Sequence, residues 1–204
     1  MPTSRRIERV RTVLSLRQPD LRVVLESAAN AHNASAVLRT CDAAGVLHVH
    51  LITPGPGAWP LNAAITTRAD KWLDLHTHAS LGECLAELRR KKIRVAVACL
   101  EEGAADYETV DFTRPTAVVF GNESEGVSRE ALERSDIRIR IPMLGMVQSL
   151  NLSVSVGVIL FEALKQRRAA GLLGRRRLSP RECERLRGRW LRTDDGSGDG
   201  SPET

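Results

Sequence analysis

Short apolar runs rich in β-branched residues, at residues 23–25, 46–52, 93–100, 116–120 and 137–141, alternate with helix signals along the chain. That alternation predicts an α/β domain with a mainly parallel sheet and helices on both faces. A length of 204 residues at 42% hydrophobic content supplies one core without staples and excludes a wholly disordered chain. Polar loops follow directly on several of the strand runs, and in open parallel sheets ligands bind beyond the carboxyl ends of the strands. Chemistry is therefore expected there.

Residues 1–22 carry six arginines against Glu8 and Asp20 and read as a basic N-terminal arm or helix. The core is expected over 23–170. Gly45 stands where a helix from about Ala34 needs its C-terminal glycine, and Ser80-Leu81-Gly82-Glu83 is a capping box opening a helix to about Lys91. Ser128 can cap a short helix through Leu132. Residues 141–161 hold no charge, but Pro142, Gly145, Gln148, Ser149, Asn151, Ser153 and Ser155 interrupt them, so the stretch reads as a loop plus a buried helix and not as a membrane span. In that helix Val154, Val158, Phe161 and Leu164 mark one face while Val156, Ile159 and Leu160 cover the rest, which predicts burial nearly all round. Ser179-Pro180-Arg181-Glu182 combines a capping box with proline at the first helical position, starting a basic C-terminal helix within 171–192. Residues 193–204 are Gly, Ser and acid, an acidic tail expected to be disordered.

The net charge of +5 is unevenly spread: residues 1–22 carry +4, residues 165–192 carry +9, and the tail and the middle carry −4 each. A mildly acidic core between basic ends fits a protein that holds a polyanion with its appendages. Seven aromatics leave little material for a base-stacking sheet. There is no G-x-G-x-x-G and no phosphate loop, since the glycine pair Gly121 and Gly126 lacks the following lysine. Cys41, Cys84, Cys99 and Cys183 are far apart and suit reduced thiols, and the N-terminus leads into no apolar signal, so a cytoplasmic protein is expected. The pairs His48/His50 and His76/His78 could each project to one face of a strand, but no third ligand type is clustered with them in the sequence, and no metal is expected.

Three polar segments carry the functional signal. The first is N-x-x-x-x-x-R at Asn33 and Arg39, the second G-N-E-x-x-G from Gly121 to Gly126 with Glu123 at its centre, and the third I-P-M-x-G-M-V-Q-S-L-N over 141–151. Taken singly, Asn33 and Ser149 read as helix caps, Glu123 as a turn residue, Asn151 as a first-turn polar group and Arg39 as an exposed helix residue. Taken together, in this order and spacing, they resemble the three motifs of the SPOUT-class RNA 2′-O-ribose methyltransferases, most closely the TrmH tRNA branch, with similarity over roughly residues 16–171.

The resemblance implies a C-terminal deep trefoil knot holding S-adenosylmethionine in three loops, which map to 98–100, 120–123 and 141–150, with Ala98, Leu100, Gly121, Ile141, Met146 and Leu150 against the cofactor. It implies a homodimer in which the arginine matching Arg39 reaches the partner's cofactor, and transfer of a methyl group to the ribose of guanosine 18 in the D-loop of tRNA. Arg39 would bind a substrate phosphate and the 2′-oxygen, Asn33 would orient Arg39 or the ribose, Glu123 would act as acceptor, and Ser149 and Asn151 would donate and accept at the cofactor end. Arg5, Arg6, Arg9, Arg11, Lys165, Arg167, Arg168, Arg175, Arg176 and Arg177 would grip tRNA phosphates. Ribosomal RNA as substrate, or RNA binding without catalysis, are the other readings of the same motifs, and the short segment before the core favours tRNA.

Overall fold

The computed structural model describes residues 2–26, 31–53, 69–122, 125–174 and 177–192. Among them, seven strands form one sheet in the order β3-β2-β1-β6-β4-β7-β5. These are β1 (Gln18–Glu26), β2 (Val46–Ile52), β3 (Asp74–His78), β4 (Arg94–Ala98), β5 (Ala105–Asp106), β6 (Thr116–Phe120) and β7 (Ile137–Arg140). Every pairing between them is parallel. The helices are α1 (Ser4–Leu16), α2 (Ala31–Ala43), α3 (Leu81–Arg90), α4 (Arg129–Arg134), α5 (Leu152–Ala169) and α6 (Pro180–Leu191). No helix among the described residues is long and apolar enough to cross a membrane. The tail at 193–204 lies outside the described residues.

The side-chain period of two in a strand divides the sheet into two buried faces. Leu21, Val23 and Leu25 of β1, with Val118 and Phe120 of β6, pack under α2 and α5, while Val24, Ala117 and Val119 pack on the opposite face under α3 and α4. A third cluster joins α1 to α6 through Val10, Leu14, Leu186 and Trp190. The expected caps form: Ser80, Ser128 and Ser179 each accept from the backbone N–H three residues on, and Ser179 with Glu182 completes a capping box.

Several expectations are corrected. The first strand begins at Gln18, five residues before the apolar run, because its start contains Pro19 and its register shifts between Gln18 and Arg22, an irregularity that accommodates a residue unable to donate to the ladder. The sequence shows no apolar run at β3 or at the two-residue β5, since both are edge strands. In α5, Val154 and Phe161 are about half exposed, so this helix is buried on one side only within a single chain.

The His-x-His pairs also differ from expectation. They lie directly opposite each other on β2 and β3, His48 Nδ1 at 3.0 Å from His76 Nε2 and His50 Nδ1 at 2.9 Å from His78 Nε2. Cys84 of α3 does bring a third ligand type, within 4.8 Å of His50 and His78. Arg22, however, stands 3.4 Å from His50 Nε2. A guanidinium can only donate, so Nε2 accepts, the His50 proton sits on Nδ1, and His78 Nε2 receives it. The lone pairs are thus used in a ladder of neutral imidazoles and do not converge on a cation.

Burial, aided by Arg22 and His76, pulls His48 down to about 3 and His50 down to about 2. The unfolded chain protonates these groups near 6.5 and so binds more protons than the folded chain below that pH. The stability supplied by the neutral ladder is complete above about pH 6.5 and is lost progressively as the pH falls toward 3. Melting temperature should therefore decline from about pH 6.5 to pH 4 in the native chain. In His50→Gln it should start lower at about pH 8 and decline less steeply; equal slopes for the two would refute the ladder as the titrating element.

Candidate active site

A cavity of about 750 Å³ opens beyond the carboxyl ends of β4, β6 and β7, a size suited to a small-molecule ligand. Its apolar walls include Phe120, Ile139, Ile141, Leu150 and Ile159, and its polar groups include Glu101, Asn122, Glu125, Ser149 and Asn151. The residue types suit S-adenosylmethionine: an apolar slab for adenine, carboxylates for a cationic sulfonium and ammonium, and amide and hydroxyl groups for a ribose. Cys99 lines it as well, and burial pushes its thiol up, so it stays a neutral wall.

The second motif forms the cavity's tightest turn. Asn122 N–H donates to Gly126 O and Gly126 N–H to Asn122 O, both at 3.1 Å, which folds the chain back on itself directly after β6. A Cβ at Gly121 would stand 1.9 Å from Gly126 O, so backbone occupies the space of any side chain there. Gly126 has φ +71°, the left-handed region that glycine enters without penalty. Gly121 and Gly126 both line the cavity, which is bounded here by backbone. Glu123 lies outside the described residues.

The third motif ends at Asn151, which caps α5 by accepting from Ser153 N–H at 2.9 Å and from Ser153 Oγ at 2.7 Å. Its other end, Nδ2, donates to Asn33 Oδ1 on α2 at 3.3 Å. The first and third motifs, 118 residues apart, thus meet at one side-chain hydrogen bond. Two turns along α2, Arg39 is exposed and does not line the cavity of its own chain.

Of the residues expected at the cofactor, Ala98, Leu100, Gly121, Ile141 and Leu150 line the cavity. Met146 does not: it is fully exposed in its loop, and none of the described residues covers it. Glu101, Asn122, Glu125 and Ser155 line it too and do not stand out in the sequence as site residues, although Glu101 directly follows a strand run and Asn122 and Glu125 belong to the second motif.

Among the expected RNA contacts, Arg5, Arg9, Arg11 and Arg168 are exposed. Arg6 donates to Trp190 O at 3.1 Å and so ties α1 to α6, and Lys165 pairs with Glu162 at 2.8 Å. Arg167 is a correction. It is fully buried and donates to Phe112 O, Arg114 O, Gln18 Oε1 and Asp20 Oδ1, so it holds the core together and cannot reach a phosphate. Arg177 pairs with the same Asp20 at 2.6 Å. Arg175 and Arg176 lie outside the described residues.

Residues 20–161 match the model of the SpoU rRNA methylase family. The chain is 48% identical over 190 residues to a tRNA (guanosine(18)-2′-O)-methyltransferase of Thermus thermophilus, covering 93% of this chain and 97% of that one. It is 39% identical over 182 residues to the Escherichia coli protein of the same name, covering 89% and 79%. The crystal structure of the Aquifex aeolicus TrmH/SpoU tRNA modifying enzyme superposes with a TM-score of 0.85 at 38% identity over 92% of this chain and 95% of that one. By motif, cavity position and this near-complete coverage, the chain belongs to the SpoU methylase family.

Proposed function

We propose that this chain methylates the ribose 2′-hydroxyl of guanosine 18 in the D-loop of tRNA, with S-adenosylmethionine as methyl donor, as the names of its relatives state for those proteins. The observation that carries the reading is the Asn151–Asn33 hydrogen bond, which joins the cavity loop to the helix that bears Arg39. When bound, S-adenosylmethionine supplies a methyl group already activated on sulfur. The chain's own task is to align the ribose hydroxyl and to manage its proton.

Arg39 is protonated at any working pH and is a poor literal base. It holds a substrate phosphate and the 2′-oxygen, and stabilises the negative charge that develops as the proton leaves to phosphate or water. Asn33, held by Asn151, orients the ribose or Arg39, and Glu123 acts as the network's acceptor. Ser149 donates at the far wall of the cavity.

Arg39 serves the cavity of a partner subunit in a homodimer. Support comes from its position off its own chain's cavity, and from the large apolar residues left exposed on the third-motif loop, Leu144, Met146 and Val147, and on α5, Val154 and Phe161. The passage from β6 through residues 141–151 into α5 forms the trefoil knot. Free thiols at Cys41, Cys84, Cys99 and Cys183 suit a cytoplasmic enzyme. The exposed Arg9, Arg11 and Arg168 grip tRNA phosphates, with the basic helices α1 and α6 as appendages of the catalytic domain.

Labelled S-adenosylmethionine should transfer one methyl group to a tRNA transcript and none to a transcript lacking the D-loop guanosine, with ribosomal RNA unlabelled; label on ribosomal RNA alone would overturn the assignment. Arg39→Ala should keep cofactor affinity while methyl transfer falls by about 10²-fold or more. Gly121→Ala should abolish cofactor binding, read by calorimetry, because the backbone must move to admit a methyl group. Replacing Arg9 and Arg168 by Gln should weaken tRNA binding and lower the slope of log affinity against log salt by about 0.9 for each phosphate no longer neutralised.

A further inference from the structure

Helix α4 is six residues long and starts where the second motif ends. Its N-cap, Ser128, accepts from Ala131 N–H at 3.1 Å. In a complete capping box the third helical residue is Glu or Gln, whose side chain reaches back to the backbone N–H of the cap. Glu182 does this for Ser179 on α6. The third residue of α4 is Ala131, fully buried and without a side-chain acceptor, so the reciprocal bond cannot be made within the helix. Glu26, the last residue of β1 and 102 positions earlier in the chain, makes it instead: its Oε2 accepts from Ser128 N–H at 2.9 Å.

Glu26 follows the Leu25–Phe120 pair of the ladder and so stands level with Gly121. The chain leaves β6 at Phe120, turns through the Asn122–Gly126 backbone pair and returns across Gly121, where a Cβ would lie 1.9 Å from Gly126 O and 2.4 Å from Val127 N. Ser128 comes next, and the Glu26 carboxylate holds it to the end of β1. The turn is thus closed twice, by its own backbone pair and by a side chain of the neighbouring strand. Gly121, Asn122, Gly126 and Val127 line the cavity, and Glu26 does not. Glu26 also stands seven residues before Asn33, which accepts from Asn151. The segment that carries the first motif is therefore tied to the second motif through Glu26 and to the third through Asn33.

We infer that Glu26 is a positioning residue for S-adenosylmethionine binding: through Ser128 it fixes the second-motif wall of the cavity in the form that receives the cofactor, without touching the cofactor itself. The inference rests on the methyltransferase function above. A hydrogen bond to a carboxylate is stronger than one to a neutral acceptor, and Ser128 is part-buried, so its N–H loses a strong partner when the carboxylate is removed. The wall is then free to leave its place, and the loss falls on cofactor affinity and not on the chemical step.

The test measures S-adenosylmethionine affinity by calorimetry on the full-length chain, with methylation kinetics alongside. Glu26→Ala should weaken cofactor binding about tenfold or more and raise the cofactor KM in step, while kcat at saturating cofactor and the KM for tRNA stay within about threefold of native. Glu26→Gln keeps an acceptor oxygen at the same reach and should restore affinity to within about threefold of native. Glu26→Asp keeps the charge but is one methylene short, and should bind the cofactor as weakly as E26A. In the ligand-free chain the Ser128 amide should exchange with deuterium about tenfold faster in E26A and E26D than in the native protein. Native cofactor affinity in a folded E26A or E26D chain overturns the inference, as does an E26Q chain as weak as E26A; where E26A melts below the assay temperature, E26D and E26Q decide between them. A native chain that binds no S-adenosylmethionine overturns the methyltransferase reading. A native chain that binds it, with the Ser128 amide equally protected in E26A and E26D, overturns the inference and leaves that reading standing.

Discussion

Arg167 fixes where the candidate active site can form. It is the last buried residue of α5, and its guanidinium joins the carbonyls of Phe112 and Arg114, which lead into β6, to Gln18 and Asp20 at the start of β1. Burial lowers its pKa and the hydrogen bond and charge of Asp20 oppose that shift, so its acceptors are what compensates a guanidinium taken out of water. Removing one partner from such a buried pair leaves an uncompensated charge, at a cost of about 3–5 kcal/mol. An α-helix advances about 1.5 Å per residue. Pinning the C-terminal end of an 18-residue helix to the two central strands therefore determines where its other end arrives, and that end is Asn151, at the cavity and in contact with Asn33.

The same pairing alters the meaning of the basic charge. Residues 165–192 read as a single positive grip, yet Asp20 takes Arg167 and Arg177, and Asp74 takes Arg185 and Arg189 at 2.6 and 2.7 Å. Four of the arginines in that segment thus dock the C-terminal elements onto the sheet. In the N-terminal arm Arg17 and Arg22 are likewise buried, Arg17 bonded to Asp42 and Arg22 to Pro19 O. What remains for a polyanion is narrower: the outer face of α1, the exposed end of α5, and Arg181, Arg187 and Arg192 on and just after α6. Charge counted along a sequence overstates a binding surface wherever isolated acids lie far away in the chain but close in space.

Legibility followed locality. Ser80, Ser128, Ser179 and Gly45 mark helix ends through contacts spanning three or four residues, and the sequence alone reveals them. The three motifs are equally plain, and five of the six expected cofactor residues line one cavity. Pro19 conceals the start of the central strand, because its tolerance depends on a register shift made with the partner strand. Arg167 resembles a surface cation because its four acceptors come from residues 53 to 149 positions away. Cys84 joins the histidines only once α3 is laid across β2 and β3. These three misses concern residues whose environment is assembled by the fold, and the exposure of Met146, Val154 and Phe161 is likewise set by how far the fold covers an apolar stretch, which no local pattern records.

Scarcity of aromatics argues against base stacking, and for a stacking platform spread over a sheet that reasoning holds. The aromatics that do cluster serve packing. Two of the three tryptophans, Trp72 and Trp190, are brought together from chain positions more than a hundred residues apart, beneath a rim of arginines. Beside them the buried Arg17 donates to Asp42, Val46 O and Trp72 O and so ties the start of β1 to the segments that lead into β2 and β3. The sheet thus divides by the polarity of its strands: the carboxyl ends of β4, β6 and β7 border the candidate active-site cavity, and the amino ends, where β1, β2 and β3 begin, carry the junction of α1 and α6. Trp190, about 1% exposed, is thereby spent on holding α6 against α1, so the two clustered tryptophans are packing residues and the case against a base-stacking sheet stands.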